Sequence, residues 1–284
     1  MGTSSSHSGP KGPSKLLPDW AQGDGSPFPD EEGESDDNNQ KNDDSKKDSD
    51  KPVELKNSRS TMTRWINSGG SSSGLGGSGG AGGVARSYVS GRGGPRGAAT
   101  SAVSGRRATA SLGDFLSTVA NRGAQNAAEI FGVAKFLGES AETMITALAN
   151  VLAPEGNTIE EAAARRAIDD SLLHLYESLE LNDGSLDAIE SMDEAMVQET
   201  LQVSVESYIF HRWLQDLGDR IEKKAVSPKE AVRLEREICQ YVREAVKTDF
   251  GEIDMLSIDW KSFETQQMID GIYREAYELL GCYK

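Results

Sequence analysis

The spacing of hydrophobic residues changes at about Ser111. From there on, apolar side chains recur at steps of three and four, which is the period of an α-helix with one buried face. The clearest example is residues 192–223, where strict steps of four connect Val197, Leu201, Val205, Ile209, Trp213, Leu217 and Ile221. We expect this stripe to face the core of a helical domain.

The same period predicts helices on both sides of this one. The segment after Ser111 predicts one interrupted helix or two consecutive helices, with glycines at 123, 132 and 138 as weak points. Three further helices have apolar stripes. The first stripe is Ile168, Leu172, Leu175 and Leu179, and the second is Val232, Ile238, Val242 and Val246. The third belongs to a helix over about 260–281 and is Phe263, Ile269, Ile272, Tyr273 and Leu280.

Three predicted helix starts carry side chains that can accept hydrogen bonds from free backbone N–H groups. A proline in the first turn strengthens one of them, because its missing N–H costs nothing there. The three starts are Ser111 with Asp114, Thr158 with Glu161, and Ser227 with Pro228 and Glu230.

The first third of the chain has a different composition. Residues 21–58 are dense in charge and poor in apolar side chains, so they cannot bury enough surface to offset the entropy of ordering. A short apolar island at 61–67 precedes a Gly/Ser-rich stretch with scattered arginines. We therefore predict an all-α fold, with a domain of five or six helices at 111–284 after a long disordered N-terminal third. That third divides into a tail at 1–20 and an acidic, then Gly/Ser/Arg-rich linker at 21–110.

Charge is unevenly distributed along the chain. The formal net charge is −16, which disfavours bulk attraction to nucleic acid or to an anionic membrane. Residues 61–111 are the exception, with six arginines and no acidic residue. Cys239 and Cys282 form no CxxC pair and fit a reducing compartment, and neither a secretory signal nor a membrane-spanning stretch is visible. We expect a cytoplasmic protein without membrane contact.

The sequence contains no recognisable catalytic or metal-binding motif. His174 and His211 fall in predicted helices, where a packed or half-exposed histidine is the ordinary interpretation. Asp169 and Asp170 are neighbours in sequence, so they point away from each other on a helix and make a poor acid/base pair. We expect no enzyme activity and no cofactor.

The N-terminus has a chemical feature of its own. Gly2 is small enough to permit removal of Met1, which would expose an unhindered α-amine with an ordinary pKa of about 7.7–8.0. Gly2 and Ser6 also fit the short pattern for N-myristoylation, although no basic patch supports membrane binding. Composition alone favours an ordinary soluble start.

The opening "MGTSSSHSGP", followed by "LLPDW", resembles the B component of Qat anti-phage defence systems, the QatB family. Members begin with a Met-Gly-Thr-Ser-type segment, followed by a Pro-Trp motif, a low-complexity region and a helical C-terminal part. The similarity is specific over residues 1–20, and Asp19 stands where a second proline is expected.

This resemblance implies partners and a role. Qat operons encode an ATPase, the B component, a QueC-like enzyme and a TatD-like nuclease. QueC enzymes use ATP to activate a 7-deazaguanine carboxylate for attack by ammonia, and the QueC-like partner would use the Gly2 amine instead. Small residues would enter its active site while apolar residues dock outside it: Thr3, Ser4, Ser5 and Ser6, then Leu16, Leu17, Pro18 and Trp20. The helical domain would hold the ATPase or the nuclease.

The first hypothesis is therefore a non-catalytic adaptor that is also the substrate of a modification. Three other functions stay open as alternatives. The first is a nucleic-acid-binding effector that uses the arginine-containing linker and the helical domain. The second is an enzyme that depends on His174, His211 or a buried carboxylate. The third is a lipidated scaffold.

Overall fold

Every element of regular structure in the described part of the chain is helical. The computed structural model describes residues 55–70, 80–179, 192–225, 227–248 and 254–282, all within one unit at 51–284. The helices described are α1 (Lys56–Asn67), α2 (Ala81–Gly91), α3 (Gly94–Thr100), α4 (Val103–Arg122), α5 (Ala124–Ile130), α6 (Ala141–Leu152), α7 (Ile159–Ser178), α8 (Glu194–Lys224), α9 (Pro228–Ala245) and α10 (Phe263–Cys282). A short 3-10 helix, Ala134–Phe136, lies between α5 and α6. The predicted all-α class is confirmed, with more helices in the described residues than the sequence predicts.

The helix α8 forms the centre of the core. All the residues of its predicted apolar stripe are buried, and Trp213 in the middle of the stripe is fully enclosed. The ring of Tyr88 in α2 stacks on Trp213 at a centroid distance of 5.8 Å, and Tyr241 in α9 meets its edge at 6.4 Å. The most extensive helix pair of the unit is α7 with α8.

The described residues between 55 and 110 form α1, α2, α3 and the start of α4, so the linker predicted over 21–110 is wrong for the residues described within that range. Trp65 in α1 and Tyr88 in α2 are buried, and α2 and α3 both pack against α10. The low apolar content of this stretch suggested disorder. Burial of small side chains against neighbouring helices stabilises helices that would not form as isolated peptides.

Glycines in α4 permit close packing of aromatic rings. A Cβ atom added at Gly105 would lie 2.7 Å from the ring of Tyr208, and one at Gly113 would clash with the ring of Trp260. Both rings therefore lie against the backbone of α4. Gly123, with φ of 83°, ends this helix at one of the predicted weak points.

Two of the three predicted helix starts are confirmed. Thr158 Oγ1 accepts from the backbone N–H of Glu161 at 3.1 Å, and Glu161 Oε2 accepts from the N–H of Thr158 at 3.0 Å, which completes a capping box. Ser227 Oγ accepts from the N–H of Glu230 at 3.2 Å, with a proline in the first turn of α9. The start predicted at Ser111 is wrong, because this residue lies inside α4.

Two residues predicted to face inward are exposed. Val232 is 54% exposed and Phe263 is 70% exposed. Val232 lies two residues before the buried Leu234, about 200° around the helix, so α9 turns this valine to the outside. Phe263 is the first residue of α10, before the packed part of that helix. The other predicted inward residues are buried, except Leu179, which is half-buried.

A buried ion pair connects the segment directly after α2 to α8. Arg92 Nη2 donates to Asp216 Oδ2, and Tyr88 donates its hydroxyl to the same oxygen at 2.8 Å. Arg92 Nη1 also donates to Ser101 Oγ at 3.0 Å, and Arg212 Nε lies 3.7 Å from the Asp216 carboxylate. Only 2% of the Arg92 side chain is exposed. One of the six arginines of the basic stretch is therefore part of the core.

Candidate functional site

A groove lies over one face of α8, between α7 and α9. Its floor is formed by Val203, Glu206, Ser207, Phe210 and His211, which recur at helical spacing on one side of α8. Residues of α7 and α9 form its two walls, and its volume is about 540 Å³. The apolar stripe of α8 packs into the core, which leaves this second strip as the open face of the helix.

A second cavity adjoins the groove on the far side of α7. It also measures about 540 Å³ and shares Asp170, Leu173 and Glu177 with the first cavity. Its other wall is α6, which contributes Glu142 and Ile145. We call the two cavities together the α7 groove, because α7 runs between them.

Two histidines join α7 to α8. His211 Nε2 lies 2.7 Å from Asp170 Oδ2, and His174 Nε2 lies 3.4 Å from Glu199 Oε1. His211 Nδ1 is buried and has no hydrogen-bond partner among the residues that the structure describes. Because one ring nitrogen is engaged and the other is enclosed, His211 is not placed to take a proton from a substrate in the groove.

Burial shifts the pKa values of several groups that line the groove. It raises the pKa of Glu206 to about 7, against the opposing effects of a hydrogen bond from Gln202 and of Arg243. It also raises the pKa of Asp169 and that of the Cys239 thiol. The thiol is therefore protonated at neutral pH, which makes it a weak nucleophile.

These features suit binding better than catalysis. The groove combines half-exposed apolar side chains with carboxylates, each of its two histidines is paired with a carboxylate of the neighbouring helix, and burial raises the pKa of its thiol. No group of three or more possible metal ligands occurs among the described residues.

The predicted modification and recognition residues lie outside the described residues. They are Gly2, Thr3, Ser4, Ser5, Ser6, Leu16, Leu17, Pro18 and Trp20. The histidines of the enzyme hypothesis, His174 and His211, are both in the groove, where each faces a carboxylate.

Sequence reasoning missed the groove itself. Leu173 and Phe210 each follow a stripe residue directly and fall outside the four-residue steps, which was an available signal of a second apolar face. The pairing of His211 with Asp170 depends on how α7 packs against α8, and no spacing within one helix could reveal it.

The described part of the chain is an all-α unit with an open groove on each side of α7. A family model described as Qat anti-phage system associated protein QatB matches residues 93–280, more than half of the chain. The chain belongs to this family and is a component of a Qat anti-phage system. No curated protein and no solved structure matches the chain.

None of the described helices has both the length and the apolar content that a membrane span needs.

Proposed function

We propose that this QatB protein is a non-catalytic adaptor with two separate functional parts. Residues 1–20 are the substrate of a QueC-like partner, which attaches a 7-deazaguanine-type group to the α-amine of Gly2. The helical unit binds a second component of the same system, the ATPase or the TatD-like nuclease. The observation that carries the proposal is family membership, which rests on residues 93–280 and agrees with the resemblance of residues 1–20.

The chemistry of the modification is amide formation. The partner activates the carboxylate of the 7-deazaguanine with ATP, and the neutral amine of Gly2 attacks the activated carboxyl carbon. The new C–N bond forms, the activating group leaves with one carboxylate oxygen, and the amine nitrogen loses a proton. An α-amine with an ordinary pKa of about 7.7–8.0 provides a useful neutral fraction near pH 7.

The adaptor role of the helical unit is supported by its surface. The α7 groove is open and lined by apolar and acidic side chains. The protonation of Cys239 and the enclosure of His211 favour binding over a reaction at this place.

Several arginines of the basic stretch bind other parts of the fold, which weakens the alternative of a nucleic-acid-binding effector. Arg92 is buried against Asp216, and Arg106 pairs with Asp270 at 2.5 Å. Arg86 donates from Nε to the carbonyl oxygen of Gly281 at 3.3 Å. Arginines that serve the fold contribute less to a cationic surface for phosphates.

The test is the mass of the full chain and of its N-terminal peptide, expressed with and without the QueC-like partner. We expect an added mass on Gly2 only when the partner is present. Gly2→Pro replaces the primary amine by a hindered secondary amine and should abolish the adduct. Gly23→Pro is the matched control in the predicted linker and should keep the adduct.

A bare Gly2 in both samples would contradict the proposal. So would an adduct of the same mass on the Gly2→Pro variant, because the modification would then lie elsewhere. Full anti-phage protection by Gly2→Pro would show that the modification is not needed for defence.

A further inference from the structure

We propose that the part of the α7 groove between α7 and α9 binds a cationic amphipathic helix of a partner protein, laid over the face of α8 that forms its floor. The inference deepens the adaptor role proposed above by giving the helical unit a docking site and its partner a chemistry. It does not depend on the modification of Gly2, and it is measured by a different signal.

The shape of the groove suits a helix. Its floor runs along α8 from Val203 to His211, eight residues further on, which is about 12 Å of helix axis. The walls, α7 and α9, lie on either side of this floor. A helix placed there would complete a layer with its two neighbours, which is the helix-in-groove mode of recognition.

The groove offers apolar anchoring points. Leu173 is 49% exposed and lies where the two cavities meet. Phe210, on the floor of the cavity, is only partly buried, although it packs against the core. Apolar side chains on one face of the incoming helix would remove the remaining surface of these residues from water.

The charge of the groove selects the sign of the partner. Three carboxylates line the cavity over α8, against one arginine: Asp170, Glu177 and Glu206, with Arg243.

These carboxylates differ in how far they are already engaged. Asp170 is engaged by His211 and Glu206 accepts a hydrogen bond from Gln202 at 2.7 Å, whereas Glu177 is exposed and forms no salt bridge to a described Lys or Arg. Lysines or arginines beside the apolar face of the incoming helix would supply the missing cations. This complementarity would guide the encounter and fix the orientation of the bound helix.

The two cysteines provide a direct test on the full chain. Cys239 is half-buried and lines the groove, whereas Cys282 is exposed at the end of α10 and does not line it. A groove occupant should therefore slow alkylation of Cys239 and leave Cys282 unchanged. The probe is an 18-residue amphipathic peptide of leucine and lysine, and its control is the same pattern with glutamate in place of lysine. Mass spectrometry of the two cysteine peptides gives both alkylation rates.

We expect the leucine–lysine peptide to slow alkylation of Cys239 about tenfold at ten times its Kd, as one-site occupancy requires. The leucine–glutamate peptide should give no protection. Leu173→Lys should raise the Kd for the first peptide about tenfold, which corresponds to about 1.4 kcal/mol. Val232→Lys is the matched control, because Val232 is similarly exposed on α9 but does not line the groove.

Three results would overturn the proposal. The first is equal protection of Cys239 and Cys282, or equal protection by both peptides. The second is an equal effect of Leu173→Lys and Val232→Lys on peptide binding. The third is protection of Cys239 that rises with the concentration of the protein alone, since a second copy of the chain would then be the occupant.

Discussion

The buried pair of Arg92 and Asp216 should dominate the stability of the helical unit. The informative change is Asp216→Asn, which keeps the shape of the side chain and removes its charge. Arg92, with 2% of its side chain exposed, would then keep a positive charge without an anion, and Arg212 would lose the same neighbour. Tyr88 would donate its hydroxyl to a neutral oxygen instead of a carboxylate.

The expected loss follows from the burial of both partners. Breaking a buried ion pair by removing one partner costs about 3–5 kcal/mol, because the remaining charge is left uncompensated. For a unit of this size, each kcal/mol lowers Tm by roughly 2–4 °C, so the variant should melt about 6–20 °C below the wild type. Tyr88→Phe removes only one hydrogen bond to the carboxylate and should cost about 1.5–3 kcal/mol.

The assay is urea unfolding followed by far-UV circular dichroism, with thermal melting as a second measurement. Lys223→Met is the matched control, because it removes an exposed i,i+4 pair with Asp219, at 3.3 Å, on the same helix. We expect this control to cost about 0.3–0.5 kcal/mol. If Asp216→Asn costs no more than Lys223→Met, the buried pair does not hold the segment directly after α2 to α8.

Three further predictions use the same unfolding assay. Burial raises the pKa of Glu206 to about 7, so the folded state binds this proton more tightly than the unfolded state and loses stability as the pH rises from about 4.3 to 7. Glu206→Gln should therefore gain stability relative to the wild type between pH 5 and pH 8. A difference between the two proteins that does not change with pH would contradict this. Gly105→Ala should lower the free energy of unfolding by about 1–3 kcal/mol, because the new methyl group clashes with Tyr208. Gly271→Ala in α10 has open space around it and should raise the free energy of unfolding by about 0.5–1 kcal/mol. Equal effects of the two changes would refute the packing argument. Thr158→Ala should cost about 1 kcal/mol through loss of the cap, and no change would show that water replaces it fully.

Local signals in the sequence predicted the strongest helices and failed where packing decides. The four-residue stripe of α8 and the capping box of Thr158 are properties of single segments, so the sequence alone reveals them. The helices α2 and α3 are rich in glycine, alanine and serine, and their stability comes from contacts with α10 and α8. No property of residues 81–100 taken alone shows that these contacts exist.

The candidate site was harder to predict for the same reason. Composition shows an acidic chain, but it does not show which carboxylates share a surface. Glu206 of α8 and Asp170 of α7 meet at the groove only because the two helices pack side by side. The N-terminal prediction is of another kind, because it rests on a short motif read directly from residues 1–20.

The position of Arg92 has a practical consequence for anyone who expresses part of this protein. The family match begins at residue 93, directly after Arg92, and so excludes α1 and α2. A shortened chain cut at that point would keep Trp213 and Asp216 but lose Tyr88, which stacks on the first, and Arg92, which neutralises the second. The limit of sequence similarity is therefore not the limit of the folding unit, and a recombinant fragment should begin before α1.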